Sequence, residues 1–336
     1  METILVTGGA GFIGSNIAEA LLARGHGVVV LDDLSTGRMK NIEHHLANPA
    51  FAFYRGSILD SGLLKDIMQK HTVSRISHQA AVASVTKSIE DPVATSQVNI
   101  IGTINLFNIA RSYGCKRIVF ASSCAIYGDT KELPIRESIT LNSKSPYAAS
   151  KASNELHAGV FYGLYGTKII GLRYFNVYGK RQDPASEYAA VVPRFITYAL
   201  ENKAIPIEGD GMQTRDFIYI DDVVQANLKA LLKEEINGDM VYNVAYGRQT
   251  SIVGLAEKIV EISGSKSKIV HLPPRQGDVR NSHADIENAK KHLDYVPAHS
   301  IDSGLKNTIN WYREQMNKTD GRTHEASSSQ LRPVRI

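Results

Sequence analysis

The stretch Thr7-Gly-Gly-Ala-Gly-Phe-Ile-Gly14-Ser15 constrains this chain more than any other. Ile4-Leu5-Val6 before it is the apolar run of a buried parallel strand. After it, Ile17, Ala18, Leu21 and Leu22 recur at helical spacing up to Gly25, a C-cap candidate. Gly9, Gly11 and Gly14 match a G-x-G-x-x-G spacing, and Gly8 extends it to G-x-x-G-x-x-G. Glycine serves three needs there: a tight turn, close approach of backbone to a diphosphate, and close packing of helix on strand. The helix N-terminus adds unpaired N–H groups and a positive dipole end. A glycine-rich turn alone is a weak signal. Here a second strand, Val28-Val29-Val30-Leu31, ends at Asp32, where an acid meets the ribose hydroxyls of a dinucleotide. Asp32 would repel a 2′-phosphate, so the expected cofactor is NAD.

With 336 residues, 43% of them hydrophobic, the chain can bury a large core and divide into two domains. Two cysteines, Cys115 and Cys124, argue against a disulfide framework or a cysteine zinc site. A formal charge of +4 is too small for a nucleic-acid partner to be inferred. No basic-then-apolar leader and no bilayer-length apolar run occur, so the expectation is a cytoplasmic protein with no membrane partner. Strand-like runs at 51–54, 73–77 and 118–121 alternate with helical stretches, which argues for a parallel sheet with helices on both faces. After Tyr178, Pro184, Pro193, Pro206 and Gly209-Asp-Gly211 break the chain into shorter elements. The expected organisation is α/β. A doubly wound parallel sheet spans 1–175. A smaller mixed substrate-binding cap spans 176–317, with segments that return to the first domain. A closing helix covers 301–316, and a mobile Ser-rich tail 318–336.

Tyr147-Ala-Ala-Ser-Lys151 opens a helical stretch after Pro146, and its i, i+4 spacing puts phenol and ammonium on one helix face. A nearby ammonium stabilises a phenolate and so lowers a phenol pKa. Such pairs are common on exposed helices, so the pair alone says little. Ser122-Ser123 follows a strand, at the sheet end where doubly wound folds present ligands. A hydroxyl there can share a hydrogen bond with the phenol and a substrate oxygen; helix capping is the plainer use of such serines.

With these motifs the chain resembles the extended short-chain dehydrogenase/reductases, and among them the NAD-dependent UDP-sugar 4-epimerases, from Ile4 to about Trp311. The resemblance implies a Rossmann-type first domain and a catalytic set of Ser123, Tyr147 and Lys151, with Lys151 also on the nicotinamide ribose. It implies cofactor contacts from Gly8, Gly11, Phe12, Ile13 and Gly14, and from Asp32, Asp33, Ser35, Thr36 and Gly37 around the adenosine ribose. Where the family often has an acid, this chain has Ser57, followed by Ile58 at the adenine wall. Gln79, Ala80, Ala81 and Asn99 occupy further cofactor positions, with Tyr174 on the nicotinamide side and Ser84 near the sugar.

For the substrate, the resemblance implies that Asn176 and the arginines Arg215 and Arg275 (in Arg275-Gln-Gly-Asp278) hold a diphosphate, a task suited to planar guanidinium forks. Val192, Ile207 and Glu208 flank the uridine. Gln182, Ala190 and Ser282 resemble the N-acetyl side of the subgroup acting on UDP-N-acetylhexosamines. Ser282 stands where a bulky tyrosine restricts other members to unacetylated sugars; a loop serine without a role is the plain alternative. The expected activity is reversible C4 epimerisation of UDP-N-acetylglucosamine and UDP-N-acetylgalactosamine. Rivals are the UDP-glucose/UDP-galactose and UDP-uronate 4-epimerases and the nucleotide-sugar dehydratases and decarboxylases. Dehydratases carry an acid pair where this chain has Cys124-Ala125. A non-catalytic NAD sensor is the rival from another class, disfavoured because Tyr147 and Lys151 are both kept. The family's homodimers form through two helices per subunit, here around 91–113 and 147–165. His44-His45 and His78 lack a metal-ligand pattern, and no metal is expected.

Overall fold

The computed structural model describes residues 2–184, 190–238, 240–274 and 280–328, with side chains described up to 317. Six strands in the first half are β1 (Thr3–Thr7), β2 (Gly27–Asp32), β3 (Phe51–Arg55), β4 (Val73–His78), β5 (Arg117–Ser123) and β6 (Ile169–Tyr174). A seventh, Val241–Val244, pairs with β6, and the order across the sheet is Val241–Val244, β6, β5, β4, β1, β2, β3. All neighbours run parallel. Parallel pairing needs crossovers, and the intervening helices cover both faces. Successive side chains alternate faces. Ile4 and Val6 of β1 therefore enter one core with the helices Phe12–Leu22 and Ile220–Leu232. Leu5 enters the other core, with Leu64, Phe107 and Phe161. The order reverses between β1 and β4, which opens a crevice beyond their carboxyl ends.

The second half is built differently. Asn176–Tyr178 pairs with Phe217–Tyr219, Ile205–Glu208 with Ile269–Leu272, and the two residues Thr214–Arg215 with Thr250–Ser251. Single bridges join Ile135 to Ala284 and Thr214 to Asn281. The helix Ile220–Leu232 and the strand Val241–Val244 return to the large sheet. The last helix runs Ile301–Ser328, beyond the 316 expected from sequence.

Candidate active site

The glycine turn is as tight as its composition demands. Gly8 has φ +66°, and a Cβ there would lie 2.7 Å from Ala80 N. A Cβ on Gly14 would overlap the Gly8 carbonyl. Gly11 is the N-cap of Phe12–Leu22 and brings no side chain to it, so the first N–H groups, at Phe12 and Ile13, are left for an external anion. Asp32 closes β2 with Oδ2 accepting from Ala10 N at 2.9 Å and Oδ1 from Leu34 N at 2.8 Å. Burial raises its pKa, and those backbone bonds oppose the shift. A Cβ on Gly37 would come within 2.5 Å of Asp32 Oδ1, so only glycine leaves the carboxylate room. Asp33, Ser35 and Thr36 are exposed beside it, and Ser57 Oγ accepts from Leu59 N at 3.2 Å. These features fit a dinucleotide: a bare helix N-terminus for its diphosphate and an acid with spare lone pairs for its ribose.

Beyond β4, Gln79 and Ala80 hang from Thr7 through Gln79 N to Thr7 O at 3.0 Å, and Ala81 is half-buried on the same loop. Asn99 sits in a widened turn of helix, Gln97–Gly102, and is 1% exposed. Its amide holds both Val82 N (2.8 Å) and Val82 O (3.0 Å) and donates to Ser150 Oγ at 3.1 Å. Asn99 therefore fixes the loop beside the crevice. Ser84 likewise serves as a helix cap, accepting from Lys87 N at 3.1 Å. Ile58 is core, packed where a Cβ on Gly102 would strike it at 2.7 Å. Tyr174 OH donates to Asn227 Oδ1 (3.0 Å) and Gln79 Oε1 (3.2 Å).

Pro146 at the first turn and Ser145, whose Oγ accepts from Ala148 N at 3.2 Å, start the helix Pro146–Tyr165 at the carboxyl end of β5. Tyr147 is thereby brought close enough to Ser123 for that hydroxyl to act on its phenol. Lys151, 5% exposed, donates from Nζ to Ala121 O at 2.8 Å, 5.8 Å from the centre of the Tyr147 ring. The expected lowering of the phenol pKa by this lysine is not what the protein alone produces. Burial raises Tyr147 above its ordinary value, and the Ser123 hydroxyl only opposes that rise. The same burial pulls Lys151 down to about 8. Desolvation outweighs attraction because Nζ is held on a carbonyl rather than on the phenol oxygen.

On the substrate side, Asn176 Oδ1 is enclosed and makes no hydrogen bond. Arg215 donates to Thr214 O at 2.8 Å, and its charge opposes the burial-driven rise of the Cys124 thiol just beyond β5. Ser282 is 9% exposed, with its N–H on Thr214 O at 3.1 Å. Arg275 and Asp278 lie outside the described residues. Five further positions divide between core, loop and surface. Val192 and Ile207 are each 1% exposed and belong to the core. Gln182 turns its amide to Val177 O at 3.3 Å, and Tyr312 donates to its carbonyl at 2.5 Å. Glu208 and Ala190 are exposed. Sequence patterning passed over Asp216, fully buried, whose carboxylate accepts from Tyr246 N, Gly247 N and Ala284 N at 3.0–3.2 Å. It ties the Arg215 strand to the Ser282 segment.

The histidines divide. His78 is buried between Thr7 Oγ1 (2.7 Å) and Thr103 Oγ1 (2.9 Å), and burial holds its pKa at about 3. His44 and His45 meet Glu19, with ligand-type atoms within 4.8 Å of one another. Arg181 already holds that carboxylate at 2.9 Å, with Lys180 at 3.8 Å, and two cations beside it oppose a third.

A tight glycine turn, an acid ending β2 and a Ser-Tyr-Lys set over a doubly wound sheet define a dinucleotide-dependent enzyme acting at a hydroxyl-bearing carbon. The chain belongs to the NAD dependent epimerase/dehydratase family, whose model matches residues 4–245. It is 41% identical over 312 residues to a putative UDP-glucose 4-epimerase of Methanocaldococcus jannaschii, covering 92% of this chain and 98% of that one. A UDP-glucose 4-epimerase from Thermotoga maritima, solved with UDP-glucose, superposes with a TM-score of 0.87 at 39% identity, over 94% of this chain and 99% of that one. A UDP-N-acetylglucosamine 4-epimerase from Methanobrevibacter ruminantium, solved with UDP-N-acetylmuramic acid, gives a TM-score of 0.87 at 37% identity, over the same shares.

Proposed function

We propose that this protein is an NAD-dependent UDP-sugar 4-epimerase that prefers UDP-N-acetylglucosamine and UDP-N-acetylgalactosamine. The observation that carries the reaction is the Ser123–Tyr147–Lys151 set at the end of β5, with Lys151 held on Ala121 O and Tyr147 beside Ser123. The observation that carries the sugar preference is Ser282, a small side chain enclosed beside Arg215's strand rather than a loop serine in solvent. A serine there leaves volume for an acetamido group and a hydroxyl to meet it.

When bound, NAD would supply the hydride-accepting and hydride-returning chemistry at sugar C4. Gly8, Gly11, Gly14, Phe12 and Ile13 cradle its diphosphate, and Asp32 its adenosine ribose. Tyr147 would act as its phenolate, a form that burial disfavours in the protein alone and that the charge of Lys151 and of a bound oxidised nicotinamide would favour. It would take the proton of the 4-hydroxyl and later give it back, with Ser123 holding phenol and substrate oxygen in line. Lys151 supplies positive charge beneath the phenol ring. Asn176 and Arg215 hold the diphosphate while the 4-keto sugar turns to present its other face. Dehydratase chemistry would need a base toward C5. Burial pushes the Cys124 thiol up to about 12, so it stays protonated and offers none.

The homodimer expected from sequence is part of the same reading. On the helices Pro92–Ser96 and Pro146–Tyr165, Val93 is 70%, Leu156 72% and Leu164 69% exposed, an apolar surface larger than scattered single residues. The deciding experiment is incubation with UDP-N-acetylglucosamine carrying deuterium at C4. A new anomeric proton signal with the label retained supports the proposal; label appearing at C5 or C6 from heavy water rejects it in favour of dehydration.

A further inference from the structure

The helix face that carries Tyr147 and Lys151 continues one turn further to Glu155. Glu155 accepts from Ser122 Oγ at 2.5 Å and, with both oxygens, from Arg173 at 2.9 and 2.7 Å. Ser122 and Arg173 are register partners in β5 and β6, each one residue before a side chain of the site, Ser123 and Tyr174. Two successive turns of the helix are thus pinned to the sheet end, Lys151 on Ala121 and Glu155 on Ser122 and Arg173, starting one turn beyond Tyr147.

From Arg173 the chain of bonds leaves the helix. Its Nη1 donates to Tyr127 OH at 2.7 Å, and Tyr127 OH donates to Asn243 Oδ1 at 2.6 Å. Asn243 Nδ2 then donates to Ile135 O at 2.9 Å and to Asp285 O at 3.1 Å. Ile135 in turn donates to His283 O at 2.7 Å and accepts from Asp285 N at 2.8 Å. The path is unbroken from the catalytic helix to the segment that carries Ser282. Every side chain on it is buried: Arg173 5%, Tyr127 1% and Asn243 0% exposed.

We propose that Tyr127 and Asn243 are positioning residues for the C4 reaction, setting where the 282–285 segment stands relative to Tyr147. Buried ionic networks add little net stability compared with apolar packing, so geometry is what such a network contributes. Tyr127 suits the task because one phenol oxygen both accepts from Arg173 and donates to Asn243. The UDP-holding groups Asn176 and Arg215 are not on this path. Severing it shifts the 282–285 segment against Tyr147 together with Arg215's strand, to which the Ser282 N–H and the Asp216 carboxylate bind it, so the sugar is misplaced while the grip on the nucleotide is kept.

This inference rests on the epimerase reading, and its test separates the two. Tyr127→Phe removes one oxygen and opens no large cavity. With UDP-N-acetylglucosamine, kcat per bound NAD should fall about tenfold, KM should stay within about twofold, and amide exchange at 284 and 285 should quicken about tenfold. Asn243→Ser should do the same, and it carries the test should the tyrosine variant fail to fold. A lowered Tm with wild-type kcat, KM and exchange rates would overturn the proposal, because the network would then be structural only. If the wild-type protein epimerises no UDP-sugar, the functional reading fails. Unquickened exchange at 284 and 285 in the variants would then overturn the positioning role independently.

Discussion

At the cofactor end of the site, Gly8, Gly14 and Asp32 come from one strand–turn–helix–strand unit, and Gly14 packs on Gly8 while Asp32 holds Ala10 of the same turn. At the sugar end, Thr214 and Arg215 are flanked by Thr250–Ser251 on one side and by residues 280–282 on the other. The Ser282 segment is tied in turn to Ile135 and Asp216. One end is made by local sequence, the other by segments that meet only once the chain has folded. A local turn tolerates little change in its own residues. A meeting of distant segments can shift as a unit, which is how one scaffold can serve several sugars.

The sharpest break of that contrast is at Tyr147, where both ends converge. Tyr147→Phe should cost about 10²–10⁴-fold in turnover, with bound NAD and UDP affinity retained. Turnover is read from the anomeric NMR signal and bound NAD from absorbance after denaturation. Near-normal turnover would remove the phenol from the chemistry. At the sugar end, Ser282→Tyr should overpack the acetamido pocket by about 1–3 kcal/mol, roughly 5- to 150-fold in relative specificity. The ratio of kcat/KM for UDP-N-acetylglucosamine over UDP-glucose should fall by that factor. Equal loss on both sugars would mean general damage instead.

Arg215→Lys keeps the charge but loses the two-pronged grip on phosphate, so KM should rise about tenfold with kcat little changed. A kcat effect alone would place Arg215 with the chemistry rather than with the nucleotide. The smallest effect concerns pH. Lys151 is lowered by burial from an ordinary 10.5 to about 8. As pH rises through about 8 the native ammonium loses its proton, while the unfolded lysine keeps its own. The unfolded state then binds more protons, so stability rises with pH up to about 10.5 while activity that needs the ammonium declines. Lys151→Met should abolish this trend in thermal melts and, by removing a buried charge, raise stability at pH 7 by no more than roughly 3 kcal/mol. An unchanged pH trend in that variant would assign it elsewhere.

The doubly wound sheet was legible because apolar runs and the glycine turn are contiguous signals. The strand Val241–Val244 was not: four residues carry little pattern, and their place beside β6 is fixed by tertiary pairing. Ser123, Tyr147 and Lys151 were legible as a set, since helical spacing and strand ends are local facts. Glu155 was there to be found in the same i, i+4 series. Its meaning depends on Arg173 and Ser122 being register partners, which no spacing reveals. Asn99 and Ser84 show where spacing stops informing. Amides and hydroxyls suit ligands and loops equally: here Asn99 holds the backbone of Val82 across the crevice loop, and Ser84 caps the helix that follows it. Composition could not show that Val192 and Ile207 would be enclosed in the core.

The strand that borders β6 and the helix Ile220–Leu232 both arrive after the chain has left the sheet and returned. During vectorial synthesis the ribosome therefore releases all of β1–β6 while the β6 edge is still unpaired and the face shared by Phe12–Leu22 and Ile220–Leu232 is only partly covered. A nascent chain halted near residue 175 would present an open edge to its neighbours, with the hazard of strand addition that such edges carry. Expression trials that trim the protein to its cofactor-binding half should yield aggregates. A cut made after residue 245 would retain the bordering strand and the covering helix.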